Sequence, residues 1–224
     1  MKAINVGGRG WDCNQFLVKD PASNAFDMVD AGHGQDWDQV LRNIATVIEP
    51  SRVRRVVVTH EHLDHVNGLP RWRALGASLV APRGVADKLL AGHDPTSAMF
   101  GADIPCLDVD QVVSDGDHIE LGGEDFAVLE TPGHSPGSAC YWHEGSGVLF
   151  AGDTLFDQGG IGRFDFPDGD LALLAESVHK LGALPVRVLH SGHGPSPEGE
   201  AAARSVHGSR RHVDACLAER AGGA

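Results

Sequence analysis

A β-branched run at 53–58 ends at Thr59 and passes directly into His60-Glu61-His62-Leu63-Asp64-His65, and no other stretch constrains this chain as strongly. The run reads as a buried strand, because Val-rich segments bounded by polar loops fit sheet interiors. In an extended loop, residues two apart point the same way, so His60 and His62 can grip one cation. Asp64 and His65 then face a neighbouring position as the chain begins to coil. Imidazole with carboxylate suits Zn²⁺, Fe or Mn²⁺ and argues against Ca²⁺. With 13 histidines in 224 residues, chance supplies this pattern about 0.004 times, so an incidental polar loop is a poor account of it.

Three further loops carry unusual residues, each after a strand-like run. Thr131-Pro132-Gly133-His134-Ser135-Pro136-Gly137 fixes a histidine between turn-forming breakers. In Ala151-Gly152-Asp153-Thr154 a carboxylate follows an apolar run, a placement that suits a helix N-cap as well as a ligand. His190-Ser191-Gly192-His193-Gly194-Pro195 is the last. Elsewhere strands are predicted at 3–6, 14–18, 25–29, 78–80, 118–121, 126–130, 138–143, 148–150 and 186–189. Helical spacing predicts 40–48, stopped by Pro50, then 69–75, 85–90, 171–181 and a polar, Ala-rich 198–220. The elements alternate in two halves, which predicts sheets covered by helices within one domain over 1–224.

Composition narrows the function classes. A formal net charge of −13 repels phosphate backbones, so nucleic acid is a poor partner. No stretch approaches the roughly 20 apolar residues of a membrane span, and no long apolar core follows Lys2. The four cysteines are scattered without a C-x-x-C pair, which reads as free thiols in a reducing, cytoplasmic compartment.

Taken together, the four loops resemble the metallo-β-lactamase superfamily. That resemblance implies an α/β fold, an αββα sandwich of two mixed β-sheets flanked by helices, with metals at one edge. By motif position it implies that His60, His62 and His134 hold a first metal. Asp64, His65 and His193 would hold a second, with Asp153 between the two. The implied cofactor is two Zn²⁺ per chain, with Fe or Mn as alternatives.

The stretch Gly159-Gly160-Ile161-Gly162-Arg163-Phe164-Asp165-Phe166 looks like the glyoxalase II branch, and like the related persulfide dioxygenases. The first implies hydrolysis of a thioester such as S-lactoylglutathione, with Asp64 in the catalytic role. It also implies that Arg163 anchors a carboxylate of the thiol half, a task for which a guanidinium fork is suited. Arg163 can instead pair with Asp165 or Asp168 on a solvated loop. Larger glyoxalase II proteins use a long C-terminal helical region for further basic contacts to glutathione. Only a short stretch follows His193, so lactone and β-lactam substrates stay open. A mononuclear iron persulfide dioxygenase would need only His60, His134 and Asp153, a two-His-one-carboxylate triad. Asp30 is a candidate partner for a ligating imidazole, whereas His33 reads as an ordinary loop histidine. The oligomeric state is open, a homodimer being the commonest assembly.

Overall fold

The computed structural model describes residues 2–8 and 10–222. Six strands form the first sheet: β1 (Ala3–Asn5), β2 (Phe16–Lys19), β3 (Phe26–Val29), β4 (Val53–Val57), β5 (Ser78–Pro82) and β6 (Gln111–Val113). They lie in chain order, antiparallel up to β3 and parallel from there on. The second sheet runs from β7 (His118–Leu121) through β8 (Glu124–Glu130), β9 (Ala139–His143) and β10 (Val148–Gly152) to β11 (Val188–Ser191). Its pairings are antiparallel except for β10 with β11. The helices are α1 (Trp37–Ala45), α2 (Leu63–Val66), α3 (Leu69–Ala74), α4 (Arg83–Ala91), α5 (Pro95–Met99), α6 (Leu171–Leu181) and α7 (Glu200–Gly222).

Side-chain alternation along the strands sorts the buried residues into three apolar layers. On β9, Tyr141 turns inward to Phe126, Phe150, Val57 and Val80, so the two sheets pack face to face. Cys140 turns outward, and with Leu149 and Leu189 it meets Leu174, Val178, Val206 and Val213 of α6 and α7. On the far side Met28, Val56 and Leu79 meet Ile44, Trp72 and Leu89 of α1, α3 and α4. Helix, sheet, sheet and helix are therefore stacked as the sequence predicts.

Three differences from the predicted elements have local causes. β6 has two of its three residues exposed, too short a piece for any period to show. α5 is a five-residue helix capped by Asp94, whose carboxylate accepts the Ser97 amide at 2.7 Å. β11 lies two positions later than the predicted 186–189 and ends at Ser191, which brings it up against the last histidine loop. α7 packs along α6, and Gly208 fits against Gly159 so closely that a Cβ on either would stand 2.8 Å from the other's backbone. Ser209 donates to the Gly160 carbonyl at 2.8 Å, so α7 fixes the start of the glycine-rich segment. No described helix is long and apolar enough to cross a membrane.

Candidate metal centre

Four strands deliver the expected ligands. The chain leaves β4 extended through His62, whose ψ is 148°, and then turns into α2 at Leu63. His60 and His62 therefore project together, while Asp64 and His65 leave from the first helical turn. His134 stands in the turn between β8 and β9, Asp153 just past β10 and His193 just past β11. His60, His62 and His134 bring ligand atoms within 4.8 Å of one another, and so do Asp64, His65 and His193. Asp153 forms a third such group with His60 and His65 and lies between the other two. All seven predicted metal residues thus meet at one edge of the sandwich, and His60, His65 and His134 are buried.

The outward-facing ring nitrogens of His60, His65 and His134 are fixed by partners. Asp30 accepts from His65 Nδ1 at 2.9 Å, and from the Thr59 amide at 2.8 Å. The Thr59 hydroxyl donates to Asp30 at 2.9 Å and lies 3.1 Å from His60 Nδ1, so a proton on that nitrogen completes a chain back to the same carboxylate. Asp30 itself has φ 62°, an unfavourable conformation for a non-glycine residue, sustained here by those bonds. His134 Nδ1 donates to the Arg163 carbonyl at 2.8 Å. Such bonds set the tautomer and turn each Nε2 inward with its lone pair free.

The inward atoms show what the arrangement fits. Nε2 of His60, His62, His65 and His134 and Oδ1 of Asp153 are buried, and none has a hydrogen-bond partner among the described residues. Buried polar atoms are nearly always paired, so a converging set of unpaired donors of lone pairs fits cations. Burial holds His60 well below the ordinary histidine range and pushes His62 and His134 down to about 4, leaving neutral imidazoles at pH 7. At the second group, burial opposes charge on His65 and His193, but Asp64 and Asp153 raise both. Asp64 is held low against its own burial by His65 and His193, with His193 Nε2 at 3.0 Å. Protons there occupy places that cations would take, so metal binding would release them.

Close packing holds the loops in register. A Cβ on Gly192 would lie 2.0 Å from Asp153 Oδ1 and 2.7 Å from the His65 ring, so only glycine lets this loop approach. Asn14 holds the same loop from below, donating through Nδ2 to the carbonyls of Ser191 and Gly194 at 2.9 and 2.8 Å. Glu61, between the two histidines, points the opposite way and is fully buried. It accepts from Ser135 Oγ at 2.9 Å and the Gly137 amide at 3.2 Å, joining the first motif to the His134 turn. Its other partner is Lys88 Nζ at 3.1 Å.

The centre opens into a cleft of about 670 Å³. Arg163 lines it, but the guanidinium forks onto Asp165 at 2.9 and 2.6 Å and lies 4.4 Å over the Phe166 ring. Asp168 is held by Lys88 instead, at 2.5 Å. His33 also lines the cleft, although its sequence context gave it no role, as do Trp11, Thr96 and Phe100. The Asp94-Pro95 start of α5 was the one sequence signal for the last two. His190 belongs to the core, stacked 4.9 Å from Phe150 with Nδ1 at 2.9 Å from Ser196.

Known proteins share this plan. The family model described as "Metallo-beta-lactamase superfamily" matches residues 8–193. An uncharacterized protein of Aquifex aeolicus is 33% identical over 81% of this chain and 82% of its own. The probable metallo-hydrolase YqgX of Bacillus subtilis is 31% identical over 82% of this chain and 85% of its own. A hydroxyacylglutathione hydrolase of Methylobacterium sp. strain 4-46 is 34% identical over 79% of this chain, but the match spans only 60% of that enzyme. Among solved structures, the BLEG-1 B3 metallo-β-lactamase superposes with TM-score 0.73 at 26% identity, covering 88% of this chain and 94% of that one. TTHA1623, in a di-iron-bound form, gives 0.67 at 28% identity over 90% and 98%. Fold, converging ligands and a family match over most of its length agree: the chain belongs to the metallo-β-lactamase superfamily of metal-dependent hydrolases.

Proposed function

We propose that the protein is a dinuclear hydrolase of thioesters, most like a compact glyoxalase II. The observation that carries this reading is the pair of ligand groups meeting at Asp153, with inward lone pairs that no protein group satisfies. In this reading His60, His62 and His134 would hold one ion and Asp64, His65 and His193 the other, with Asp153 placed between them. The nitrogen-rich donor set suits zinc, with iron and manganese as alternatives. Such a pair of ions supplies a nucleophilic water at neutral pH and a Lewis acid for the carbonyl oxygen.

The chain's own groups do the rest. Asp64 is ionised and lines the cleft, so it orients the attacking water and receives a proton from it. It then returns that proton to the departing thiolate, which is stable enough to leave without a strong acid. The bonds from Asp30, Thr59 and Arg163 keep the imidazoles from turning during turnover. Arg163, on the cleft wall, contacts the thiol half of the substrate. Four cysteines, all free, fit a reducing cytoplasmic setting.

A mononuclear persulfide dioxygenase would leave His62, Asp64, His65 and His193 without a role, which favours the hydrolase. The test is metal content measured on the sample assayed with a panel of thioesters that includes S-lactoylglutathione, a lactone and nitrocefin. Two ions per chain and thioester turnover are expected, and Asp64→Asn should lower kcat by about 100-fold at saturating metal. One iron per chain with oxygen uptake on glutathione persulfide, or full turnover by the variant, would overturn the assignment.

A further inference from the structure

The walls of the cleft carry information about the substrate that the metal centre does not. Resting on the thioesterase reading, we propose that the cleft selects an apolar acyl group on a small uncharged thiol, and not a glutathione conjugate. Water adds across the C–S bond of such a thioester, giving a carboxylic acid and a neutral thiol.

Aromatic side chains flank both halves of the centre. The Phe166 ring stands 5.7 Å from that of His62 and 6.1 Å from that of His134, with Phe100 behind it at 5.8 Å. Phe156 stands 6.4 Å from His193, on the other side. Trp11 lines the same cleft and is 86% exposed, and Phe100 is 54% exposed. Large apolar side chains left open to water beside a reactive centre mark a binding surface, since covering them is favourable. An acyl chain leaving a carbonyl at the centre would run between these rings.

Charge argues the same way. Glutathione carries two carboxylates and one ammonium at neutral pH, so a site for it needs fixed cations. Among the described residues that line the cleft, Arg163 is the single Lys or Arg, and Arg9 lies outside the described residues. The Nε–Nη2 edge of Arg163 is taken by Asp165, and its face lies over Phe166. It presents a neutralised plate, able to touch a substrate but poorly placed to clamp a carboxylate. No described residue of α7, with its four arginines at 204, 210, 211 and 220, reaches the cleft. The remaining polar side chains of the lining outside the ligand groups, His33, Gln35, Thr96 and Ser97, include no Lys or Arg, and Thr96 Oγ1 is buried with no partner among the described residues.

Two non-hydrolysable thioethers separate this proposal from the catalytic reading, S-octyl-N-acetylcysteamine and S-methylglutathione, titrated calorimetrically into the metal-loaded protein. The octyl compound should bind at least about tenfold tighter, and Trp11→Ala should weaken it by about tenfold without affecting the other. Asp165→Ala, which removes both acceptors from the Arg163 fork, should strengthen S-methylglutathione binding. Tighter binding of the glutathione thioether by the unaltered protein would overturn the proposal, whatever is hydrolysed. If the octyl compound binds as expected and no thioester is cleaved, the cleft assignment stands and the thioesterase reading falls. In turnover, octanoyl-N-acetylcysteamine should exceed S-lactoylglutathione in kcat/KM by about tenfold or more, and the reverse order would also overturn it.

Discussion

Replacing Lys88 by Met should destabilise the walls around the centre. Lys88 Nζ lies 3.1 Å from Glu61, 2.7 Å from Asp94 and 2.5 Å from Asp168. Each partner belongs to a different wall: the first histidine loop, the cap of α5, and the segment that carries Arg163 and Phe166. Glu61 and Asp94 are wholly buried, so the methionine would fill the stem's space and leave two carboxylates facing each other in a poor dielectric. Breaking a buried pair from one side costs about 3–5 kcal/mol, because the stranded charge is no longer compensated. For a chain of this size that is a fall in Tm of about 6–20 °C. Urea unfolding of the metal-free protein measures the loss directly, with an unchanged m-value as the check that the unfolded state is the same. A loss under about 1 kcal/mol, the scale of an exposed ion pair, would refute the hub.

Asp30→Ala removes the acceptor of His65 Nδ1 and the end of the Thr59–His60 chain. Metal affinity, measured against a chelator, should fall about 10- to 100-fold, and a change under about twofold would show that the imidazoles need no such support. The acid limb of stability should also carry the mark of Asp94. Its carboxyl is held below the ordinary value against burial, by Lys88 and Ser97. Its contribution is therefore present above its unfolded pKa of about 3.9 and is lost as pH falls through the lower folded value. Asp94→Asn should flatten the loss of stability below about pH 4 in pH-dependent urea titrations, and an unaltered slope would count against it.

What could be read from the sequence was whatever the local chain decides. The ligands follow strands whose apolar runs are unmistakable, and the alternation at His60 and His62 places two donors on one side. The glycine-rich segment was visible as a loop, but whether Arg163 would serve a substrate or Asp165 was not, since both lie within its reach. Glu61 illustrates the limit from the opposite direction. The same alternation that sends its neighbours to the metals sends it to Ser135, Gly137 and Lys88. Lys88 meets Asp168 across 80 residues of chain, and no spacing rule reaches that far. Trp11, Thr96 and Phe100 sit on a loop and on or beside the five-residue α5, pieces too short for a sequence period to show.

The acid excess of the sequence acquires a local meaning around these groups. Asp30, Asp64 and Asp153 face the ligand imidazoles, and Glu61, Asp94 and Asp168 form a second rank around one lysine. This negative charge raises the proton affinity of His65 and His193 against their burial, and it is met by Lys88. Divalent ions would displace protons held there and bring in more charge than leaves. The carboxylates of the second rank then lower the energy of that surplus, through the dielectric of a buried site, without touching the ions. On this argument the rear cluster holds the cleft walls in place and also biases the centre towards binding cations. Lys88, paired with all three of these carboxylates, tempers that bias.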